Sequence, residues 1–314
     1  MSYIAWMNEG KLAREQVGGK GASLSNLAAS GFNVPPGFCV TAKAYRHFSL
    51  ANGLDAKIEA LMRNVDPAQP ASVAQASAEI EALVADTALP EDLCTAITQA
   101  YAALMAEQDM ACAVRSSAVS EDGAAASFAG LYETYLNVRG ELAILDRLHK
   151  CYASLWAERA VGYRARNGGG HEESMAVVIM GLVPAETSGI AFTAHPVTGS
   201  LDTVVINSSW GLGEAIVSGR VTPDSFLVAK SSWQIIERDI FAKEIATHPE
   251  GDGTVDAPVE RSKQNQPSLT DDQVLDVAKL ATRVEDHYGK PQDVEWALAG
   301  GSLYLLQSRP ITTL

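Results

Sequence analysis

Two stretches of this chain combine residue types that bind phosphate, and the first runs from Arg115 to Thr134. It reads RSSAVSEDGAAASFAGLYET, and the apolar residues before Arg115 predict a strand that ends there. Small residues let backbone N–H groups approach a ligand closely, and a guanidinium group binds phosphate oxygens two at a time. The stretch predicts a polyphosphate-binding loop, with a flexible surface loop as the alternative.

The second stretch is a predicted hairpin near the C-terminus, with strands at 292–298 and 303–309. Apolar and polar residues alternate along the first strand, which predicts one buried face and one polar face. A three-residue loop over 300–302 sets the register of the two strands, so that each step back from the loop on the first strand faces one step forward on the second. On the buried face this register places Trp296 opposite Leu306.

On the polar face the same register places Glu295 opposite Gln307 and Asp293 opposite Arg309. Carboxylates beside an amide oxygen are hard oxygen ligands of the kind that Mg²⁺ uses while it also holds substrate phosphates. An arginine on the same face neutralises phosphate charge during transfer. The alternative is a solvated hairpin face with a cross-strand Asp–Arg pair.

A third candidate is Lys20, which lies between Gly19 and Gly21. The segment 15–31 predicts a glycine loop that runs into a short helix, and a lysine near a helix N-terminus favours an anion. The GxxxxGK[ST] spacing of a Walker A loop is missing. A solvated lysine in a surface turn is the alternative.

Hydrophobic periodicity predicts the elements that must position these residues. Helices are predicted from Ala42, within 52–110 and over 141–166, and Thr270 is predicted to cap a helix with Gln273 in a capping box. Residues 247–268 are polar and predict an exposed excursion. Strands are predicted at 135–138, 175–183, 189–193, 203–207, 226–228 and 235–236.

Composition bounds the class of protein. The 314 residues are 47% hydrophobic and carry a net charge of −14, which argues against nucleic acid or an anionic membrane as the main partner. No apolar run approaches the ~20 residues that span a bilayer, and the N-terminal residues lack a signal-peptide pattern. Four widely spaced cysteines predict free thiols in the cytoplasm. Their spacing predicts no metal site.

Four segments taken together resemble the N-terminal ATP-binding domain of the phosphoenolpyruvate synthase and pyruvate phosphate dikinase family. The likeness covers essentially the whole chain, and in detail it is similar to rifampin phosphotransferases and to the separate ATP-binding subunits of phenylphosphate and alkylphenol phosphate synthases. The segments are Val17–Gly21, Val114–Gly130, Gly211–Gly219 with Pro223-Asp224, and Asp293–Trp296 with Leu306–Thr312.

This resemblance implies an α+β chain with an ATP-grasp fold, in which two lobes flank a nucleotide cleft beneath a helical cap. The N-terminal lobe is expected over 1–200, with the cap at about 50–110 and the phosphate loop at 115–134. The C-terminal lobe is expected over 201–314, with the metal-binding hairpin at 292–310.

The resemblance also implies a reaction in parts. The β,γ-diphosphate of ATP passes to a histidine on a separate swivelling domain or subunit, AMP and phosphate leave, and the histidine then phosphorylates a hydroxyl compound bound on that partner. Catalytic roles are implied for Lys20, Arg115 and Arg309, and Mg²⁺ ligation for Glu295, Gln307 and Asp293. Further nucleotide contacts are implied for Ser127, Gly130, Thr134, Met180, Leu182 and Glu214.

Two positions depart from the family pattern. Met180 stands where many relatives carry a glutamine near the adenine, which puts base selectivity in doubt. His195 stands where relatives often have Asp or Asn. It is not the expected phosphohistidine, because that residue lies in a separate Gly- and Ser-rich segment that this sequence lacks.

The sequence therefore predicts an ATP-dependent phosphotransferase that is incomplete without a histidine-bearing partner. The chain is expected to be one subunit of a split enzyme that acts on a phenol or alkylphenol, or else a domain of a longer protein. Within the class, a rifampin phosphotransferase and a phosphoenolpyruvate synthase are the alternatives. An ATP-sensing module that turns nothing over is the alternative from another class.

Overall fold

A computed structural model describes residues 2–119, 133–167 and 174–312 of the protein. The chain forms two compact units. Unit 1 comprises Met1–Ala29 and Pro36–Leu182, and unit 2 comprises Ser30–Pro35 and Val183–Leu314. Within the described ranges, no helix combines the length and the apolar composition that crossing a bilayer requires.

Unit 1 mixes strands and helices. Its described elements are β1 (Ile4–Trp6), α1 (Arg14–Ala29), β2 (Gly37–Val40), α2 (Ala42–Ala51), α3 (Leu54–Met62), α4 (Pro70–Ala85), α5 (Glu91–Glu107), β3 (Cys112–Ala118), β4 (Thr134–Val138), α6 (Glu141–Ser154), α7 (Glu158–Asn167) and β5 (Met175–Gly181). The strands form an antiparallel sheet in the order β1-β2-β5-β3-β4. The helices predicted within 52–110 are present as α3, α4 and α5.

The single helix predicted over 141–166 is wrong, because the chain breaks it at residues 155–157 into α6 and α7. Arg164 of α7 donates from its guanidinium to the carbonyl oxygen of Leu155 at 2.8 Å. The same guanidinium lies 4.6 Å from the ring centre of Trp156. A cation over a buried indole and a satisfied carbonyl stabilise the corner between the two helices.

Three of the four cysteines are buried in unit 1, and all four are free thiols as predicted. Burial raises the pKa of Cys39 and of Cys112 to about 12. These thiols therefore stay protonated at neutral pH and pack as small apolar side chains.

Unit 2 is built on a second antiparallel sheet. Its described elements are β6 (Thr187–Phe192), β7 (Thr203–Trp210), α8 (Glu214–Val217), β8 (Asp224–Ala229), β9 (Gln234–Asp239), β10 (Ile245–Glu250), β11 (Gly253–Pro258), α9 (Arg261–Gln264), α10 (Asp271–Tyr288), β12 (Gln292–Ala299) and β13 (Ser302–Pro310). Six strands pair in the order β13-β12-β6-β7-β8-β9, and β10 and β11 form a separate hairpin.

The division between the units falls at 182/183, whereas the sequence placed the lobe boundary at 200/201. The reason is β6, which pairs with β12 on one side and with β7 on the other. These hydrogen bonds tie residues 187–192 to the second sheet, although they precede the turn where the prediction ended the first lobe.

The capping box predicted at the start of α10 is confirmed. Gln273 donates its backbone N–H to the Thr270 hydroxyl at 3.3 Å, and the Gln273 amide oxygen accepts from the Thr270 N–H at 2.8 Å. Gly289 ends the helix with φ of 65°. Most of the segment 247–268 is exposed or partly exposed, as predicted, and it contains the β10–β11 hairpin and α9.

The two faces of the six-stranded sheet differ. One face carries Ile206, Phe226 and Val228, which are almost completely buried, and α10 covers it with its apolar stripe. The opposite face carries Val205 and Leu227, which are only partly buried. We call this second face the site face, because the polar residues of the hairpin lie on it.

Candidate functional site

Strands β12 and β13 align the polar residues of the predicted metal site. Glu295 lies opposite Gln307, and Asp293 lies opposite Arg309, as predicted. Cross-strand neighbours on one face have Cβ atoms about 5 Å apart, so the two carboxylates, the amide and the guanidinium form one polar cluster.

The turn of this hairpin differs from the prediction. Ala299 pairs with Ser302, so the loop contains two residues, not three. Gly300 and Gly301 have φ of 55° and 73°, which is the conformation of a type I′ turn. Two left-handed residues in succession explain why the loop carries two glycines.

A β-bulge restores the register between the turn and the polar cluster. The predicted pairing of Trp296 with Leu306 is wrong, because Trp296 pairs with Leu305. The register shifts between Glu295 and Trp296, which leaves Leu306 as the extra residue of β13. The shorter turn and the inserted residue offset each other, and the predicted polar pairs survive.

The polar cluster continues across the sheet along the site face. Glu295 pairs with Ile190 of β6, Ile190 pairs with Asn207 of β7, and Asn207 pairs with Ser225 of β8. Since paired residues lie on the same face, a carboxylate, an apolar residue, an amide and a hydroxyl follow one another in a row. A ligand on this face meets polar groups at one end and apolar side chains beside them.

Asp293 and Arg309 form an ion pair that satisfies only half of the carboxylate. The Nε of Arg309 donates to Oδ2 of Asp293 at 2.8 Å. Oδ1 of Asp293 is buried and has no hydrogen-bond partner among the described residues. Burial raises the pKa of Asp293 above its ordinary value, although Arg309 acts in the opposite direction. A buried carboxylate oxygen without a donor is costly, and a ligand cation would relieve that cost.

The donor set suits a magnesium ion that also binds phosphate. Two carboxylates and an amide oxygen are hard ligands, and Mg²⁺ completes its octahedron with waters and phosphate oxygens. In the described parts of the chain, no three His, Cys, Asp or Glu side chains converge on one point. An ion held by Asp293, Glu295 and Gln307 would therefore depend on oxygens from the ligand, and the orphaned Oδ1 of Asp293 fits this role.

The glycine turn after β7 is held against the site face. Ser188, which pairs with Ala297, donates its hydroxyl to the carbonyl oxygen of Gly211 at 2.7 Å. Leu212 donates its N–H to the carbonyl oxygen of Thr247 in β10 at 2.9 Å. The turn is thus fixed from the sheet below and from the hairpin beside it.

Asp224, which the resemblance singled out together with Pro223, has a structural role. The side chains of Asp224 and Lys243 are fully buried, and Nζ of Lys243 donates to Oδ1 of Asp224 at 2.6 Å. The N–H and the hydroxyl of Ser268 donate to Oδ2 at 2.7 and 2.8 Å. The N–H of Phe241 adds a fourth bond at 3.2 Å. Every donor comes from residues 241–268, so Asp224 anchors that segment to the sheet.

Sequence reasoning missed Lys243. The lysine follows Ile240, Phe241 and Ala242 and is followed by Glu244, so the local sequence does not distinguish a buried charge from an exposed one. The sequence also does not reveal the partner, since Asp224 lies on β8 and Lys243 lies between β9 and β10.

In unit 1, the segment that carries Lys20 packs directly on β3. The hydroxyl of Ser117 donates to the carbonyl oxygen of Val17 at 2.7 Å and accepts from the N–H of Gly21 at 3.1 Å. Helix α1 is interrupted at Gly18, where φ is 70° and a Cβ would lie 2.0 Å from the Ser117 carbonyl oxygen. Only glycine fits there, and the contact fixes the backbone on both sides of Lys20.

Arg115 does not lie at the mouth of a loop, as its predicted position at a strand end implied. Strand β3 continues to Ala118, and Arg115 pairs with Thr134 of β4 and with Val178 of β5. Because side chains alternate along a strand, Arg115 shares the face of Ser117, on which the Lys20 segment lies.

The structure therefore brings the strand of Arg115 and the segment of Lys20 to one face of the first sheet, with Thr134 on the neighbouring strand. The other two residues predicted for the phosphate loop, Ser127 and Gly130, lie outside the described residues.

Met180 and Leu182, the predicted adenine contacts, lie at the end of β5. Met180 is 2% exposed and pairs with Gly37 and Ala113. The N–H of Leu182 donates to the carbonyl oxygen of Ala111 at 2.8 Å, so this donor is already engaged in the sheet. Recognition of a base edge here would use other backbone groups than this N–H.

His195 takes the place of a turn-capping carboxylate or amide. Its Nδ1 accepts from the N–H of Val197 at 3.2 Å and from the N–H of Thr198 at 3.3 Å. These are the bonds that an Asp or Asn side chain makes in an Asx-turn. The imidazole therefore supports the turn after β6, which explains the departure from the family pattern.

Comparisons of the sequence with known proteins identify the family of the chain. A probable phosphoenolpyruvate synthase of Methanothermobacter thermautotrophicus is 42% identical over 321 residues, which cover 100% of this chain and 46% of the relative. A rifampicin phosphotransferase of Streptomyces sviceus is 45% identical over 302 residues, which cover 95% of this chain and 34% of the relative. The chain thus spans less than half the length of these relatives.

The phosphoenolpyruvate synthase of Pyrococcus furiosus is 40% identical over 358 residues, with 99% of this chain and 44% of the relative covered. The sequence profile of one family, described as "Pyruvate phosphate dikinase, AMP/ATP-binding domain", matches residues 14–314. The polar cluster of β12 and β13 and the Lys20 segment both fall within that match, and the chain belongs to this family of ATP-binding domains.

Proposed function

We propose that this chain is the ATP-binding part of a dikinase-type phosphotransferase with an ATP-grasp fold, in which each unit supplies one lobe. The observation that carries the proposal is the polar cluster on the site face, where one buried oxygen of Asp293 has no donor among residues 2–119, 133–167 and 174–312. A structural hairpin face would satisfy such a group or expose it to water. A magnesium–nucleotide complex supplies the missing charge.

In the proposed reaction, this chain positions ATP and neutralises the charge that phosphoryl transfer moves. In this proposal Arg309 and Arg115 bind phosphate oxygens, as does Lys20, whose neighbouring backbone is held by Ser117. Magnesium, if held by Glu295, Gln307 and Asp293, would neutralise part of the negative charge of the phosphates. Phosphoryl transfer needs positioning and electrostatic stabilisation more than covalent chemistry from the protein.

The acceptor in this proposal is a histidine of a separate domain or subunit. The bond between the α- and β-phosphates breaks, AMP leaves, and the diphosphate is attached to the imidazole. Water then releases phosphate, and the remaining phosphoryl group passes to a hydroxyl compound. The relatives named phosphoenolpyruvate synthase and rifampicin phosphotransferase support a phosphotransferase, and a phenol or alkylphenol acceptor and a cytoplasmic location are parts of the proposal.

The first experiment measures ATP binding by calorimetry with Mg²⁺ and with EDTA. We expect Glu295→Gln to weaken Mg·ATP binding about tenfold while binding in EDTA changes little, because the carboxylate acts through the metal. Glu250→Gln removes one charge from an exposed residue of β10 in the same unit and serves as the control. Equal affinities of both variants and the wild type would contradict the proposed metal site.

The second experiment separates an enzyme from an ATP sensor. The chain is incubated with Mg·ATP and a purified histidine-bearing domain, and AMP, phosphate and the intact mass of the partner are followed at alkaline pH. We expect AMP and phosphate to appear together and the partner to gain phosphate. Binding of ATP without AMP would favour the sensor, which the departure at Met180 leaves open.

A further inference from the structure

Helix α1 is broken in the turn that contains Lys20. Gly18 has φ of 70° and ψ of −178°, far from helical values, so the chain from Val17 to Gly21 does not form a turn of α-helix. In a regular helix the N–H of residue 21 would donate to the carbonyl oxygen of residue 17. Both residues are buried, so these two backbone groups need another partner within the protein.

The hydroxyl of Ser117 on β3 joins the two ends of the broken turn. It donates to the carbonyl oxygen of Val17 at 2.7 Å and accepts from the N–H of Gly21 at 3.1 Å. One hydroxyl thus bonds to both groups that a helix would pair with each other, since it is a donor and an acceptor at once. Ser117 is completely buried, so the bridge is shielded from competing water.

The backbone on both sides of the break is also packed against the first sheet. A Cβ at Gly21 would lie 2.9 Å from Sγ of Cys39 on β2. Before the break, Nε of Arg14 donates to the carbonyl oxygen of Val119 at 3.0 Å, directly after the end of β3. These contacts fix the segment at each end, and the hydroxyl of Ser117 fixes the turn between them.

Lys20 is the residue that this turn directs outward. Of the residues from 17 to 21, four are buried, and Lys20 is the one that is partly exposed. Ser117 lies two residues beyond Arg115 on the same face of β3, and two residues along a strand span about 7 Å. The bridge therefore joins the backbone that carries one basic residue to the strand that carries the other. Two basic residues on neighbouring backbone suit a polyphosphate.

We propose that Ser117 is a positioning residue for phosphate binding, which acts by holding the turn of Lys20. Because the proposed function assigns Lys20 to the phosphates of ATP, the role of Ser117 rests on that assignment. Without the hydroxyl, the buried carbonyl of Val17 and the N–H of Gly21 lose their partner, and the turn rearranges to satisfy them elsewhere. Lys20 moves with the turn, and a phosphate contact is sensitive to displacements of about 1 Å.

A double-mutant cycle with Lys20 tests this role, with Mg·ATP binding measured by calorimetry on the full chain. We expect Ser117→Ala to weaken binding about tenfold, and Lys20→Met to weaken it about thirtyfold through the loss of a charged hydrogen bond. The double variant should also bind about thirtyfold more weakly than the wild type, because no lysine remains to be positioned. Independent effects would multiply to about three-hundredfold and would overturn the role of Ser117.

Ser77→Ala is the matched control. Ser77 is also a buried serine of unit 1, and its hydroxyl donates to the carbonyl oxygen of Trp156 at 2.8 Å. Both alanine variants lose a buried hydroxyl that bonds to the backbone, so both should lower the Tm. Ser77→Ala should keep the Mg·ATP affinity within about twofold of the wild type. An equal loss of affinity in both variants would show that general destabilisation causes the effect, and would overturn the role of Ser117.

Ser117→Cys covers the case in which the alanine variant does not fold. The thiol occupies the place of the hydroxyl as a weaker donor and acceptor, so it should weaken Mg·ATP binding about threefold or more. In the Lys20→Met background the same substitution should cause no further loss. A further loss by the same factor in that background would contradict a role through Lys20.

Two other results separate the role of Ser117 from the proposed function. If Lys20→Met binds Mg·ATP as tightly as the wild type, Lys20 does not contact the phosphates and the role of Ser117 is overturned, while the metal site keeps its own test in Glu295→Gln. If the wild type binds no Mg·ATP, the proposed function fails first and the role of Ser117 falls with it.

Discussion

Two aspartates of the second sheet, which lie on opposite faces, each form an ion pair with a basic side chain. The two pairs differ in burial and in the number of hydrogen bonds that the protein donates to the carboxylate. Asp224 and Lys243 are fully buried, and the carboxylate receives four hydrogen bonds from the protein. Asp293 pairs with Arg309, which is 40% exposed, and one oxygen of Asp293 has no donor in the described residues. The protein itself satisfies the first carboxylate, whereas under the proposed function a ligand completes the second.

The comparison gives a criterion for interpreting charged residues in a family motif. Both aspartates belong to segments through which the sequence resembles its family, and residue type alone does not distinguish their roles. The number of hydrogen bonds that the protein donates to each carboxylate does distinguish them, because a carboxylate whose oxygens are already hydrogen-bonded has no capacity left for substrate. We therefore assign folding to Asp224 and ligand binding to Asp293, and four substitutions test this assignment.

The largest effect is expected for Lys243→Met, which leaves the Asp224 carboxylate buried without its counter-ion. Breaking a buried pair from one side costs about 3–5 kcal/mol in free energy of unfolding. Urea unfolding followed by circular dichroism measures the loss. A loss below about 1 kcal/mol would show that the pair does not anchor the segment 241–268.

The next effect is expected for Ser268→Ala, which removes one of the four donors to Asp224 and the bond to the Ser208 hydroxyl at 2.7 Å. The N–H of residue 268 still donates to the carboxylate, so the loss is about 1–2 kcal/mol in the same experiment. Ser262→Ala on exposed α9 is the control, and equal losses in both variants would contradict the network.

The same type of change on the other face should matter much less to stability. Arg309→Met opens the pair with Asp293, but the guanidinium is partly solvated, so we expect a loss of about 1 kcal/mol or less. Mg·ATP binding, measured by calorimetry, should fall at least about tenfold in this variant. A stability loss as large as that of Lys243→Met would make the two pairs equivalent and would end the distinction.

The smallest effect is the pH dependence that Asp293 contributes. Burial raises its folded pKa above 3.8, so the folded state holds this proton more tightly than the unfolded chain does. The resulting stability is present at low pH and is lost as the pH rises from about 4 through the folded pKa. The Asn side chain in Asp293→Asn does not titrate, so this variant should gain stability relative to the wild type across that range.

Urea unfolding of wild type and Asp293→Asn at several pH values between about 4 and 7 measures this difference. A difference that stays constant or shrinks with rising pH would contradict a raised pKa. Asp252→Asn, in the exposed turn between β10 and β11, controls for the loss of one charge.

The sequence predicted those parts of the site that depend on strand periodicity. Asp293, Glu295, Gln307 and Arg309 meet because side chains alternate along strands, and that rule needs no knowledge of the rest of the fold. The capping box at Thr270 was predictable for the same reason, since its signal is local.

The parts that could not be predicted depend on contacts between distant segments. Arg115 lies inside a strand because β3 continues past it to pair with β5. The serines that follow Arg115 do not predict a strand from their residue type. Helix α1 is interrupted at Gly18 because the carbonyl oxygen of Ser117 would lie 2.0 Å from a Cβ atom at this position. Ser117 is about a hundred residues further along the chain, so the local sequence does not show this contact. The bond between Lys243 and Asp224 likewise joins residues whose proximity only the sheet creates.

The bulge in β13 has a consequence for how this hairpin tolerates insertions and deletions. The two-residue turn and the unpaired Leu306 together place as many residues between Glu295 and Gln307 as a three-residue turn without a bulge would. Deleting Leu306 alone would leave an unbroken ladder in which Gln307 still lies opposite Glu295 and Arg309 opposite Asp293. Related sequences can therefore carry the hairpin with the bulge, without it, or with a longer turn in its place, and the polar pairs are the same in all three arrangements.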